Sequence, residues 1–407
     1  MYSAIAGLKA HMNKLNVIGN NVANVNTNSY KSQRAVFRDS MYTMYSGGSD
    51  GSATMAGKNP SQIGYGSQMA SVDLNMVRGN FTPGRPTDCM LEGDGFFLVG
   101  SKTDAEMIDP RDPNSFKGLT LTRVGDFGFG PDGYLKDGSG QGNAVYGFMV
   151  VGKDPTTGEP LISDQLVPIR LPKVETVPVN IKTGNEIPAD QLAGLKEGED
   201  YKMSVVVRYA TDGLTDKNHQ GPADVLQDYV KYKDPAKPDD GTIELPYAQL
   251  DGISFDSTTG AITGKVKETG EQITVAYLAV GNVTNNNGLT LEGNSYFTCG
   301  PGAGDLQVGM LGGAAEKLKD GRGQSITHVN GSRVKDPNAQ DAVELSDKGL
   351  IGSAGKTVLR SGGLEGSNAD LATEISELIT TQRGYQANTR IITVTDSMLE
   401  ELVNMKR

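Results

Sequence analysis

From Gly363 to the C-terminus the chain carries an apolar pattern that only a helix satisfies. Leu371, Ile375, Leu378, Gln382, Tyr385, Thr389, Ile392, Asp396, Leu399 and Val403 alternate in steps of four and three, the heptad seam of one helix face. A second apolar line, Ile391, Val394, Met398, Leu402 and Met405, runs beside it. One stripe buries against one neighbour, and two offset stripes call for two. No proline interrupts the run, and Gly384 is its one interior glycine. Ser367 and Asp370 are the expected N-caps. Lys406 and Arg407 complement the negative end of the helix dipole.

A matching seam lies at the opposite end of the chain, in Ile5, Leu8, Met12, Leu15, Ile18, Val22 and Val25. This end carries Lys9 and Lys14 and no acid before Asp39, whereas the C-terminal helix is rich in Glu and Asp. The two ends are complementary in pattern and in charge, so they are expected to pair. Asn13, Asn16, Asn20, Asn21, Asn24, Asn26 and Asn28 crowd the second half of the first helix. Each costs about 0.5 kcal/mol against alanine inside a helix, so this helix must be held by packing. The amides, Asn20, Asn21 and Asn24 among them, are expected to hydrogen-bond to neighbouring subunits in an assembly.

Between the helices the chain reads as short strands and turns. Expected strands include 69–76, 89–99, 119–129, 134–135, 145–151, 201–209, 241–245, 261–266, 272–280 and 295–298. Pro131-Asp132-Gly133, Asp240-Gly241, Asp251-Gly252 and Asn330-Gly331 mark turns. A run of prolines from Pro155 to Pro188 marks a change of character. The expected fold is α+β, mainly β. Paired coiled-coil-like terminal helices (1–30 with 364–407) carry, through a connector (31–68), an inner β domain (69–154 with 286–363). A second β domain (155–285) is inserted into the inner one.

The chemistry-bearing residues argue for structure rather than catalysis. His11, His219 and His328 stand in no metal-ligand spacing, and Cys89 and Cys299 are far apart and read as small apolar residues. The glycines at 138, 140 and 142 precede no helix pattern and no Lys-Ser or Lys-Thr pair, so they form no phosphate loop. No cofactor or metal is expected. A net charge of −11 without a basic cluster argues against nucleic acid. No apolar run is long enough for a membrane span, and the N-terminus lacks the layout of a cleaved signal peptide.

Asn20-Asn21-Val22-Ala23-Asn24 with Asn26-Thr27-Asn28-Ser29-Tyr30-Lys31 resembles the N-terminal signature of bacterial flagellar rod and hook proteins. Leu364-Glu365-Gly366-Ser367-Asn368-Ala369-Asp370-Leu371 and Gln382-Arg383-Gly384-Tyr385-Gln386-Ala387-Asn388 resemble their C-terminal signature. Gly93-Asp94-Gly95-Phe96-Phe97, and Leu121-Thr122-Arg123 with Asp132-Gly133-Tyr134-Leu135, resemble the β-domain motifs of the same family. The long excursion from 155 to 285 points to the hook type within it, although 305–360 is longer than the resemblance leads one to expect. The resemblance implies a subunit that polymerises with itself into a curved hollow tube, a flexible joint passing motor torque from rod to filament. It implies a flagellar rod protein, hook cap and hook–filament junction proteins as partners. It also implies an extracellular destination reached unfolded through the flagellar export apparatus, without a cleaved signal. The subunit-assembly residues expected on the two helices are Ile5, Leu8, Met12, Leu15, Asn20, Asn21, Val22, Asn24, Leu371, Ile375, Leu378, Gln382, Tyr385, Ile392, Leu399 and Val403. A distal rod subunit of the same family, and a secreted β-domain protein that binds a surface through 155–285, are the alternative readings.

Overall fold

In a computed structural model the chain divides into two compact units, Met1–Asn80 with Gly366–Arg407, and Phe81–Glu365. The residues described are 2–48, 50–51, 55–101, 108, 116, 118–153, 160–163, 166–183, 186–187, 195–209, 232–233, 242–243, 246–304, 306–311, 319–320, 328–329, 332–333 and 357–405. His219, the turns at Asp240-Gly241 and Asn330-Gly331, Lys406, Arg407, Pro155, Pro188 and most of 305–360 lie outside them.

The terminal unit holds both expected helices, α1 (Tyr2–Ala23) and α2 (Leu371–Met405). α1 stops where Asn24 folds back, its amide nitrogen donating to Asn20 Oδ1 at 3.0 Å and its backbone N–H to Asn20 O at 3.2 Å. α2 starts after Asp370, as its sequence predicts. Asp370 accepts from Ala372 N at 3.2 Å and from Thr373 Oγ1, bonds that hold its carboxyl below the usual carboxylate range. Residues 363–365, by contrast, form a strand in the other unit.

The expected connector 31–68 is instead a long two-stranded ribbon. Gln33–Asp39 pairs antiparallel with Ser67–Leu74, and Tyr42–Ser46 pairs with Ser61–Gly64. Ser40 N donates to Gly66 O at 2.7 Å where the two halves join. Gly66, with φ +106°, lies so close to α1 that a Cβ there would stand 3.0 Å from Ser3 O. The strand expected at 69–76 therefore belongs to this ribbon, not to an inner β domain. The sequence hides the ribbon because neither face of its outer half is buried, so no alternation is imposed on it.

The unit Phe81–Glu365 is built on one large sheet with the strand order 250–255, 261–266, 272–283, 144–153, 96–100, 120–122, 296–299, 289–293. Phe96, Phe97, Phe127, Phe148 and Phe297 are fully buried, with Phe97 and Phe127 packed edge to face at 5.0 Å. Gly93 and Gly95 adopt φ of +133° and +121° between the strands Cys89–Glu92 and Phe96–Gly100, as the Gly93-Asp94-Gly95 motif requires. The buried Arg123 donates to Leu91 O at 3.3 Å and Gly93 O at 2.7 Å, clamping that loop. Burial lowers its pKa, and the charges of Glu365 and Asp94 offset part of the shift.

Two expectations change here. The boundaries expected at 155 and 285 are not boundaries of this unit. Strand Gln272–Val283 pairs with 261–266, 144–153, 96–100 and 306–310. Its run from Val275 to Val280 is buried throughout, as a strand covered on both faces must be. The Asp251-Gly252 turn is a bulge within strand Leu250–Phe255, opposite 261–266.

Candidate assembly surface

α1 and α2 pack antiparallel. A Cβ on Gly7 would stand 2.9 Å from Asn388 Nδ2, and one on Gly384 would stand 2.9 Å from the His11 ring. Lys14 Nζ meets Glu377 Oε2 at 2.9 Å, and Asn21 Nδ2 donates to Glu374 Oε1 at 2.9 Å. The signature Gln382–Asn388 thus acquires a physical meaning. Gly384 opens room for His11, and Asn388 lies over Gly7. A glycine inside a helix costs about 1 kcal/mol against alanine, which close helix approach here offsets.

This geometry moves the seam. The buried positions of α1 are Ala4, Gly7, Ala10, Ile18 and Asn21. Ile5 and Met12 are exposed, and Leu8, Leu15 and Val22 are half-buried. On α2 the inward line is Glu374, Leu378, Thr381, Gly384, Tyr385, Asn388, Thr389, Ile392 and Thr395. The expected seam shares Leu378, Tyr385, Thr389 and Ile392 with it, while Leu371, Ile375, Gln382, Asp396, Leu399 and Val403 are exposed. Small residues won the intrachain contact because they let two backbones approach. Many of the larger apolar side chains, Ile5, Met12, Ile379, Ile391 and Val394 among them, are left outside. The signal for this was present in the small residues spaced by three at Ala4, Gly7 and Ala10.

The asparagines also divide. Asn21 is only 1% exposed and is fully engaged within the chain. It accepts from Gln33 N at 2.9 Å and Tyr30 Oη at 3.0 Å and donates to Gln33 O at 2.8 Å. The expectation that it faces a neighbouring subunit is corrected accordingly. Tyr30, held between burial and Glu374, has its phenol pushed up to about 12. Asn20 Nδ2 donates to Tyr30 Oη at 3.2 Å, and Asn24 is turned onto Asn20. Asn368 does similar work beside it, on the same segment, its backbone N–H donating to Tyr30 O at 3.3 Å. It accepts from Ser32 N at 2.7 Å and donates to Asn75 O at 2.6 Å and Val77 O at 2.9 Å. Both signatures are therefore, in large part, the instructions for folding the terminal unit.

What stays unpartnered is apolar and extensive. Ile379, Ile391, Val394, Met398, Leu399, Leu402, Val403 and Met405 are all exposed on α2, with Met405 at 77%. The ribbon adds a surface that the sequence reading missed, in Met41, Tyr42, Met44, Tyr45 and Ile63. Burying one such side chain stabilises by about 1.5–3 kcal/mol, so a surface of this size is a candidate interface. Among the described residues no group of His, Cys, Asp and Glu could hold a metal ion, and no helix is long and apolar enough to cross a membrane.

Two family models match the chain at its ends, one described as Flagella basal body rod protein over residues 1–31, the other as Flagellar basal body rod FlgEFG protein C-terminal over residues 360–405. Similar curated proteins include the flagellar hook protein FlgE of Borreliella burgdorferi, 27% identical over 100% of this chain and 99% of that protein. The flagellar basal-body rod protein FlgG of Bacillus subtilis is 26% identical over 100% of this chain and 98% of that protein. The flagellar hook protein FlgE of Salmonella typhimurium is 25% identical over 99% of each. The crystal structure of Helicobacter pylori flagellar hook protein FlgE2 aligns at 12% identity and a TM-score of 0.28 over 57% of this chain and 96% of that one, too slight a likeness to bear on the fold. The two matched regions are those that build the helix pair, the relatives run the full length of the chain, and together they support a flagellar hook/rod axial protein.

Proposed function

We propose that the chain is the structural subunit of the flagellar hook, assembling with copies of itself into a curved hollow tube that acts as a flexible joint for motor torque. The observation that carries this reading is the inverted helix pair, with small residues packed inside and large apolar side chains outside. A pair built this way is completed by neighbours, and identical neighbours related by one repeated operation give a helical polymer. The hook proteins aligned along the whole chain support the same reading. The role is structural rather than catalytic. Further partners would be a flagellar rod protein at one end, hook cap and hook–filament junction proteins at the other, and the export apparatus during delivery. The destination would be outside the cell, reached without a cleaved signal peptide. A weakly held terminal unit suits export, because little free energy is needed to keep it extended.

The Bacillus subtilis rod protein, matched over 98% of its length, favours a second reading as a distal rod subunit. Electron microscopy of purified protein under polymerising conditions separates the two. Curved hollow tubes are expected. Short straight rods would favour the rod subunit, and a protein that stays monomeric at all concentrations would overturn both.

A further inference from the structure

Within one chain the two helices do not match in length. α2 has 35 residues and α1 has 22, about 52 Å and 33 Å at 1.5 Å per residue. Because Asn388 lies at Gly7 and α1 begins at Tyr2, α2 runs past the start of α1 from about residue 394 onward, a level set by helical rise. Every residue from 396 to 405 is exposed. Met398, Glu401, Leu402 and Met405 share one face of this overhang, spaced i, i+3, i+4, i+7. α1 carries a stripe of the same spacing, Ile5, Leu8, Lys9 and Met12, on a face other than the one that takes Asn388. Leu8 is half-buried, and Ile5, Lys9 and Met12 are exposed.

We propose that the α2 overhang of one subunit docks on the α1 stripe of a second copy, in a register that sets Lys9 against Glu401. This rests on the polymer reading above and names its contact. Sliding one copy along the helix axis by about fifteen residues, about 22 Å, keeps the antiparallel sense of the pair. Ile5 then meets Met405, Leu8 meets Leu402, Lys9 meets Glu401 and Met12 meets Met398. Each apolar residue finds an apolar partner, and the one cation of the stripe finds an anion. Charge complementarity argues for the same occupant, because the overhang also carries Asp396 and Glu400, whereas α1 carries Lys9 and Lys14 and no acid. Methionine at both ends of the overhang face gives a contact that can repack as subunits shift.

The test uses a cross-link that the single chain forbids. Met12→Cys with Met398→Cys, in a Cys299→Ser background, places the two thiols about 22 Å apart within one chain, far beyond the ~7 Å Cα separation a disulfide spans. Oxidised polymer is expected to give a ladder of covalent multimers, and the out-of-register pair Ile5→Cys with Met398→Cys none. Independently, Lys9→Glu and Glu401→Lys should each raise the protein concentration needed for polymerisation about three- to tenfold, and the double reversal should restore it to within about twofold. The register is overturned if both cysteine pairs behave alike, if the single reversals polymerise as wild type, or if the double reversal fails to rescue. Each of those results leaves the hook reading standing. Wild-type protein that forms no polymer removes both.

Discussion

The two units bury opposite things. In Phe81–Glu365 the interior is aromatic and aliphatic, from Phe96, Phe97 and Phe127 to Val280 and Phe297. In the terminal unit the buried apolar side chains among the described residues are Ala4, Ala10 and Ile18, and the rest of the interior is polar: Asn21, Ser29, Lys31, Ser32 and Thr381. The first unit can therefore stand on its own hydrophobic burial. The second is held by amide networks and close backbones, which fix geometry well but contribute only about 1 kcal/mol per net hydrogen bond. Many of its large apolar residues stay exposed. On the function proposed above, one chain carries a domain with its own core and a domain completed by its neighbours.

The largest effect should come from removing 155–285. Strand Gln272–Val283 sits in the middle of the large sheet, so replacing this stretch with a Gly-Ser linker is expected to unfold the Phe81–Glu365 unit outright. Circular dichroism that retains the β signal of the remaining strands with a cooperative melt would show that the stretch is an independent domain after all.

Next come two substitutions with opposite readouts. Leu399 is exposed on the α2 overhang, and Leu399→Asp is expected to abolish polymerisation while leaving the melting of the Phe81–Glu365 unit unchanged. A charge forced into a packed helix interface costs several kcal/mol. Phe97→Ala should do the reverse, lowering the stability of its own unit by about 3–5 kcal/mol in denaturant titration. If Leu399→Asp shifts that melting transition, or leaves polymerisation intact, the division of labour fails.

Gly384→Ala probes the helix pair with a smaller change. The added Cβ would stand 2.9 Å from the His11 ring, and helix propensity recovers about 1 kcal/mol. A net weakening of the pair by about 1 kcal/mol is expected, seen as faster amide exchange along α1, with His11→Ala relieving it. Faster exchange that His11→Ala leaves unchanged would place the strain elsewhere.

The smallest effect concerns acid. The Asp370 carboxyl is held below its ordinary value of 3.8 by its hydroxyl and backbone donors at the α2 cap. Its contribution is therefore complete above that ordinary value and is lost as pH falls through the lower folded-state value. Asp370→Asn keeps a capping side chain and should flatten this part of the acid profile, read from helical circular dichroism of the polymer. A profile identical to wild type would assign the acid sensitivity to other carboxylates.

The sequence alone determined what periodicity and local chemistry can determine. It placed both helices, with Asp370 as the cap, and most strands of the large sheet. Their side chains alternate, or run apolar, because they face a core within the same chain. It also marked the two ends as partners. Tertiary structure decided which face of each helix was used. Heptad spacing records that a face is apolar but not which neighbour covers it, and Gly7, His11, Gly384 and Asn388 took the intrachain contact by close fit. Structure also decided the fate of 31–68, where exposed Tyr42, Met44 and Tyr45 leave no one-sided pattern to read. It placed 272–283 in the middle of the sheet as well, because strand order is set by which edges meet in space, and that information is held in no local window of the chain.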